Sequence, residues 1–125
     1  RVPAGDPHRY DATYAGNLTA ADCSDEALTA IGWFCGNSDD LLHPVMQKLP
    51  NGYGLYDMLG NAPEWAEGPY RSWSDDVDDS WLVWRGGAFY DTGVRARAAA
   101  RLRVPGQTST MHIGFRLAIT AEKTR

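Results

Sequence analysis

Patterned runs in this chain are short and of two kinds. From Ser24 to Phe34, acids precede Ala27, Leu28 and Ile31 at helical spacing, and Ser24 stands where an N-cap belongs, so one short amphipathic helix is predicted. From Trp81 to Arg85 large apolar residues lead into Gly86-Gly87, which predicts a strand running into a bulge or a close backbone approach. Val94 to Arg101 alternates arginine with Val and Ala, and Ile113 to Ile119 alternates Ile, Phe, Leu and Ile with Gly, Arg and Ala. Both read as strands with one buried face. Trp65, Trp84 and Phe115 are expected in the core.

Composition narrows the class. With 13 Gly, 7 Pro and 5 Trp in 125 residues, turn signals recur every few positions, which excludes long helices. Length fits one domain, and 43% hydrophobic residues can fill its core. No repeat or linker divides it, and no apolar run is long enough to span a membrane. The net charge of −4 disfavours a nucleic-acid partner, although arginines cluster from Arg95 to Arg103. The acids Asp75, Asp76, Asp78 and Asp79 read as a solvated loop.

Candidate chemistry concentrates between Asn51 and Trp65. Gly52, Gly54 and Gly60 free the backbone, while Asn51 and Asn61 tolerate left-handed conformations, so the chain must turn sharply there. A tight bend aims carbonyls inward beside carboxylates, and such an oxygen cage suits Ca²⁺. Asp57 and Glu64 are the anionic candidates and Gly60 and Ala62 the carbonyl candidates. Together they would supply about four of the six to eight oxygens Ca²⁺ takes. The bland alternative is a Gly/Asn turn with solvated acids, and spacing by itself favours that.

Three motifs in order add a resemblance. Pro50-Asn51, Gly54 to Met58, Gly60-Asn61 and Glu64-Trp65 are followed by Arg85 to Phe89, by Arg95, Arg97 and Arg101, and by Gly114-Phe115-Arg116. The set resembles the signature of the formylglycine-generating enzyme family, also called the sulfatase-modifying factor domain. Tyr14-Ala15-Gly16, Ile31-Gly32-Trp33, Asn37-Ser38 and His43-Pro44-Val45 extend the match over nearly the whole chain. The resemblance implies an α+β fold of C-type lectin-like form: irregular, loop-rich, with short antiparallel strands and one or two short helices. It implies one domain over residues 1–125, as a C-terminal part of a longer domain or a minimal version, with Arg1 to Gly5 resembling the tail of an upstream family segment. A missing N-terminal half, or another chain, is therefore a partner to consider.

The family's oxidase activity uses a pair of copper-binding cysteines shortly after the RGG strand. Here that window reads Ala88-Phe89-Tyr90-Asp91-Thr92-Gly93-Val94, without cysteine, so no copper is expected. His8, His43 and His112 lack ligand spacing, and no Ser/His/Asp ordering stands out. No catalytic residue is assigned. Cys23 and Cys35 flank the predicted helix, and its length slightly favours two free thiols over a disulfide. Neither they nor the sequon Asn17-Leu18-Thr19 fixes a cytoplasmic or exported location.

A non-catalytic recognition or scaffolding module, braced by calcium, is the leading expectation. Its binding loop is expected between Phe89 and His112, where Tyr90, Asp91, Thr92, Arg95, Arg97, Arg103, Gln107, Thr108, Thr110 and His112, with Ser109 and Met111, mix the groups that enrich recognition surfaces. One branch of the resembled family diversifies this window to vary ligand binding. A protein or peptide ligand is implied. The alternative is an oxidoreductase or maturation factor acting on a protein or peptide.

Overall fold

The computed structural model describes residues 22–71 and 77–119, with the backbone alone over 69–71 and 77–80. Its order is α1 (Glu26–Thr29), β1 (Glu64–Arg71), β2 (Val77–Arg85), α2 (Gly93–Ala96) and β3 (Leu102–Pro105). The three strands form one antiparallel sheet in the order β1-β2-β3. The expected α+β, loop-rich architecture with short antiparallel strands and two short helices is thus present among the described residues.

Helix α1 is shorter than the spacing predicts, and its cap is Asp25 rather than Ser24. The buried Asp25 carboxylate accepts from the Leu28 N–H at 3.0 Å. The helix then closes on itself, with Ile31 N–H and Gly32 N–H both donating to the Leu28 carbonyl. At Gly32 a side chain would run into the carbonyl of Leu59, so the chain turns where only hydrogen fits. Leu28, Ile31 and Phe34 leave this turn to form the core with Leu59 and Ala96, and Cys35 and Leu49 pack against it.

The fold-back also decides the cysteines. Cys23 and Cys35 form a disulfide with Cα atoms 5.3 Å apart, against the expectation of free thiols. A full helix would hold them apart, but α1 covers only four residues and the chain reverses after it.

Trp81 to Arg85 is in β2 as expected, and β1 carries an irregularity between Ala66 and Pro69 around Gly68, whose φ is +93°. Two predicted strands are absent. Val94 to Arg101 instead carries α2 and a turn in which Ala100 N–H donates to the Arg97 carbonyl, with the strand beginning only at Leu102. Ile113 to Ile119 is irregular, and among the described residues its backbone bridges the sheet only in parallel between Gly114 and Glu64. Local alternation is common to both segments, but a strand also needs a partner edge.

Trp65 and Trp84 are half-buried and meet edge to face at 5.7 Å, whereas Phe115 is 78% exposed and no part of the core. Tyr14 to Gly16, the sequon, Arg1 to Gly5, His8, Asp75 and Asp76 lie outside the described residues, and of Asp78 and Asp79 only the backbone in β2 is described. Among the described residues no helix is long and apolar enough to cross a membrane.

Candidate functional site

Asn51 builds the first half of the bend. Its buried side-chain oxygen accepts from Tyr53 and Leu55 N–H at 2.9 and 3.0 Å, while its own N–H donates to the Leu55 carbonyl. Gly54 takes φ +79° to close the turn. Further on, Asp57 and Asn61 hold left-handed φ values of 54° and 62°. Asn61 works as a surrogate peptide group: it accepts from His43 N–H at 2.9 Å and donates to the His43 carbonyl at 3.0 Å. Its backbone joins Trp33 to Phe89, donating to the first and accepting from the second.

Two carboxylates then face one cavity of about 430 Å³, lined among others by Met46, Asp57, Ala62, Glu64, Phe115 and Arg116. One Asp57 oxygen accepts from Met46 N–H at 2.8 Å; its other oxygen is buried without a hydrogen-bond partner. Glu64 is gripped by Arg116 through bonds of 2.7 and 2.9 Å. The same guanidinium donates to the carbonyls of Tyr56 and Asp57 at 3.0 and 3.2 Å. One planar cation therefore ties the end of the chain to both arms of the bend, a task that matches its forked donors.

Three of the four calcium candidates, Asp57, Ala62 and Glu64, line this cavity; Gly60 lies behind it, buried, its N–H donating to the Gly86 carbonyl. Among the described residues no group of three or more His, Cys, Asp or Glu side chains converges for a metal, so a cation here would depend on carbonyls. The partnerless Asp57 oxygen fits that need. Both Glu64 oxygens are already shared with Arg116.

The window from 89 to 112 divides into structural and outward residues. Asp91 is 7% exposed despite its expected exposure, because one carboxylate oxygen accepts from Ala88 N–H at 2.9 Å and its carbonyl accepts from Cys35 N–H. Burial raises its pKa, opposed by the Ala88 bond and by Arg95. Arg97 folds onto its own helix, with Nε donating to the Val94 carbonyl at 2.9 Å. Arg103 lies over the Trp81 ring at 5.0 Å, and Gln107 and Thr108 sit at the turn after β3, where Thr108 N–H donates to the Pro105 carbonyl. Thr92 caps α2 without a side-chain bond, and the Thr110 hydroxyl accepts from His112 N–H.

Tyr90, Arg95 and His112 remain as a patch. Tyr90 is 45% exposed, and its ring centroid lies 4.9 Å from that of buried Phe89 and 6.2 Å from that of His112. Phe89 and His112 meet edge to face at 5.4 Å, so Phe89 anchors both outer rings to the core. Its carbonyl in turn accepts from the fully buried Ser38 hydroxyl at 2.8 Å. Burial and the Asp91 charge raise the Tyr90 pKa, and the Arg95 charge partly offsets them. Arg95 is also 3.8 Å from Asp91.

The sequence reading missed the roles of Arg116 and of a second stack. Arg116 is the one charged residue in the Ile113 to Ile119 run, which is the signal that marks it. Trp33 stacks on His43 at 3.6 Å with Lys48 over its ring, so His43 is a packing residue, its Nε2 bonded to the Ser38 carbonyl.

A family model, the sulfatase-modifying factor enzyme 1-like domain, matches residues 7–121. A mouse protein named inactive C-alpha-formylglycine-generating enzyme 2 is 33% identical over 90 residues, which is 67% of this chain and 28% of the mouse protein. Its bovine counterpart of the same name is 34% identical over 73 residues, 54% of this chain and 23% of its own length. The chain thus spans about a quarter of these relatives. Among solved structures, Treponema denticola variable protein 1 superposes with a TM-score of 0.65 at 26% identity, over 82% of this chain and 39% of that one. CarF superposes with a TM-score of 0.53 at 25% identity, over 83% and 35%.

Proposed function

Because the chain belongs to the sulfatase-modifying factor family, we propose that it acts as a non-catalytic recognition module that binds a protein or peptide through the Tyr90, Arg95 and His112 patch. The observation that carries this reading is the fate of the sulfur. The chain has two cysteines, both joined in the Cys23–Cys35 disulfide, and neither stands after the Gly86-Gly87 turn where the oxidases of the family carry theirs. Soft thiolate ligands for copper are therefore missing from the position that would need them. Similarity to proteins named inactive, and to one named a variable protein, supports the same reading.

The patch offers what recognition requires. Tyr90 supplies a broad ring already fixed by Phe89 and His112, so little rotamer entropy is lost when a ligand packs on it. Arg95, with its side chain 57% exposed, supplies an outward cation for a ligand carboxylate. A calcium ion held by Asp57, Ala62 and Glu64, without Gly60, would brace the bend, drawing on the free Asp57 oxygen and competing with Arg116 for Glu64.

Selection from a random peptide library tests the reading. Binders enriched on the wild-type chain should lose at least about tenfold in affinity for Tyr90→Ala and for Arg95→Ala, the loss expected when a contact residue is truncated. Binders indifferent to both substitutions would refute it.

A further inference from the structure

A second cavity, of about 340 Å³, opens where the bend meets β1 and the end of β2, and none of the Tyr90 patch residues lines it. Met58, Leu59, Trp65 and Ala66 make its walls apolar, and the exposed Ala98 borders it. Three polar side chains line it as well. Asn51 is 4% exposed; its oxygen is taken up by Tyr53 and Leu55 N–H, while its amide nitrogen makes no hydrogen bond among the described residues. Arg85 is exposed and donates once, from a terminal nitrogen to the Ala98 carbonyl at 2.8 Å. Glu64 stands opposite Arg85 in the β1–β2 register, yet both its oxygens are held by Arg116, and among the described residues no ion pair joins it to Arg85.

The side-chain capacity left open in this cavity is therefore all donor, and it includes one positive charge without a carboxylate. A nearly buried amide that lacks an acceptor gains from a ligand oxygen, and a guanidinium with open donors matches the two oxygens of a carboxylate. The apolar walls suit a hydrocarbon body, and the volume lies at the small end of the range of about 300–1,000 Å³ typical of small-molecule sites. We infer that the cavity binds a small free acid, a carboxylate carried on a compact aromatic or branched aliphatic group. Its charge is met by Arg85, one of its oxygens by the Asn51 amide, and its hydrocarbon by Trp65 and Met58. Two side-chain donors suffice for one carboxylate and do not provide the ladder a peptide backbone would need, which sets this site apart from the protein or peptide ligand of the Tyr90 patch.

Phenylacetate, titrated into the full chain by calorimetry, should bind with a dissociation constant of about 1 mM or tighter. Phenylacetamide, of nearly the same shape without the charge, should bind at least about tenfold more weakly. Arg85→Gln should lose at least about tenfold in affinity for phenylacetate, and so should Asn51→Asp, which keeps an oxygen for Tyr53 and Leu55 N–H but replaces the donor. Ala98→Phe, at an exposed position whose carbonyl still serves Arg85, should block the mouth and abolish binding without moving the melting temperature. Absence of binding at that strength would overturn the inference, as would equal binding of the amide or indifference to Arg85→Gln and Ala98→Phe. A tighter hold on a peptide ending in a free Phe carboxylate than on phenylacetate would overturn it too, and would give the cavity to a chain terminus.

Discussion

Arg116 and Glu64 stand 52 residues apart in sequence, and the arginine holds the carboxylate with two hydrogen bonds while its second donor group reaches the Tyr56 and Asp57 carbonyls. Substituting Arg116→Lys keeps the charge but loses the fork, and should lower unfolding stability by about 1–2 kcal/mol. A double-mutant cycle with Glu64→Gln, read by urea unfolding, should give a coupling of about 1 kcal/mol. Strict additivity would show that the pair contributes nothing.

Calcium should raise the melting temperature, and chelation should reverse the rise. At a hundredfold excess over its dissociation constant the ion would add about 2.7 kcal/mol. Asp57→Ala and Glu64→Ala should each abolish the response. A melting curve unmoved by either calcium or chelator would reject the brace.

Asp91 sets an acid-side signature. Burial raises its folded pKa above the ordinary 3.8, so the folded state holds the proton more tightly than the unfolded state does. Its ionisation therefore opposes folding, fully at pH above the raised value. The penalty fades as pH falls through the window towards 3.8 and is absent below it. Asp91→Asn keeps an acceptor for Ala88 N–H and cannot ionise. The difference in stability between Asp91→Asn and wild type should thus favour the variant most at neutral pH and shrink on acidification; a flat difference would contradict this.

The Cys23–Cys35 disulfide closes a short loop, with a sequence separation of 12. Replacing both with Ala should cost about 3 kcal/mol in urea unfolding, the loop-entropy expectation for that length. A loss well under about 1 kcal/mol would mean that the unfolded chain gains little freedom when the link is removed.

Much of the architecture was legible because its signals are local. The Asn51 to Trp65 bend declared itself through Gly and Asn, and Gly54, Gly60 and Asn61 do take positive φ, whereas Asp57 takes one unannounced and Asn51 and Gly52 take none. The Trp81 to Arg85 strand was legible from its apolar run into two glycines. What failed depended on distant partners. The alternation at Val94 to Arg101 could not reveal that Ala96 would be buried in the core cluster from a helical turn. Nor could the spacing of Cys23 and Cys35 reveal the reversal that joins them. Asp91 looked exposed because its type usually is, while its actual place is fixed by backbone groups of Ala88 and Cys35. The Arg116 grip was invisible for the same reason: nothing near Arg116 in sequence names Glu64.

The claim that this chain recognises rather than oxidises is tested most directly by incubating it aerobically with a cysteine-containing sulfatase peptide, with and without copper, and capturing any aldehyde formed. The account predicts no aldehyde above the protein-free control in either condition. Copper-dependent aldehyde that accumulates over many turnovers would contradict it.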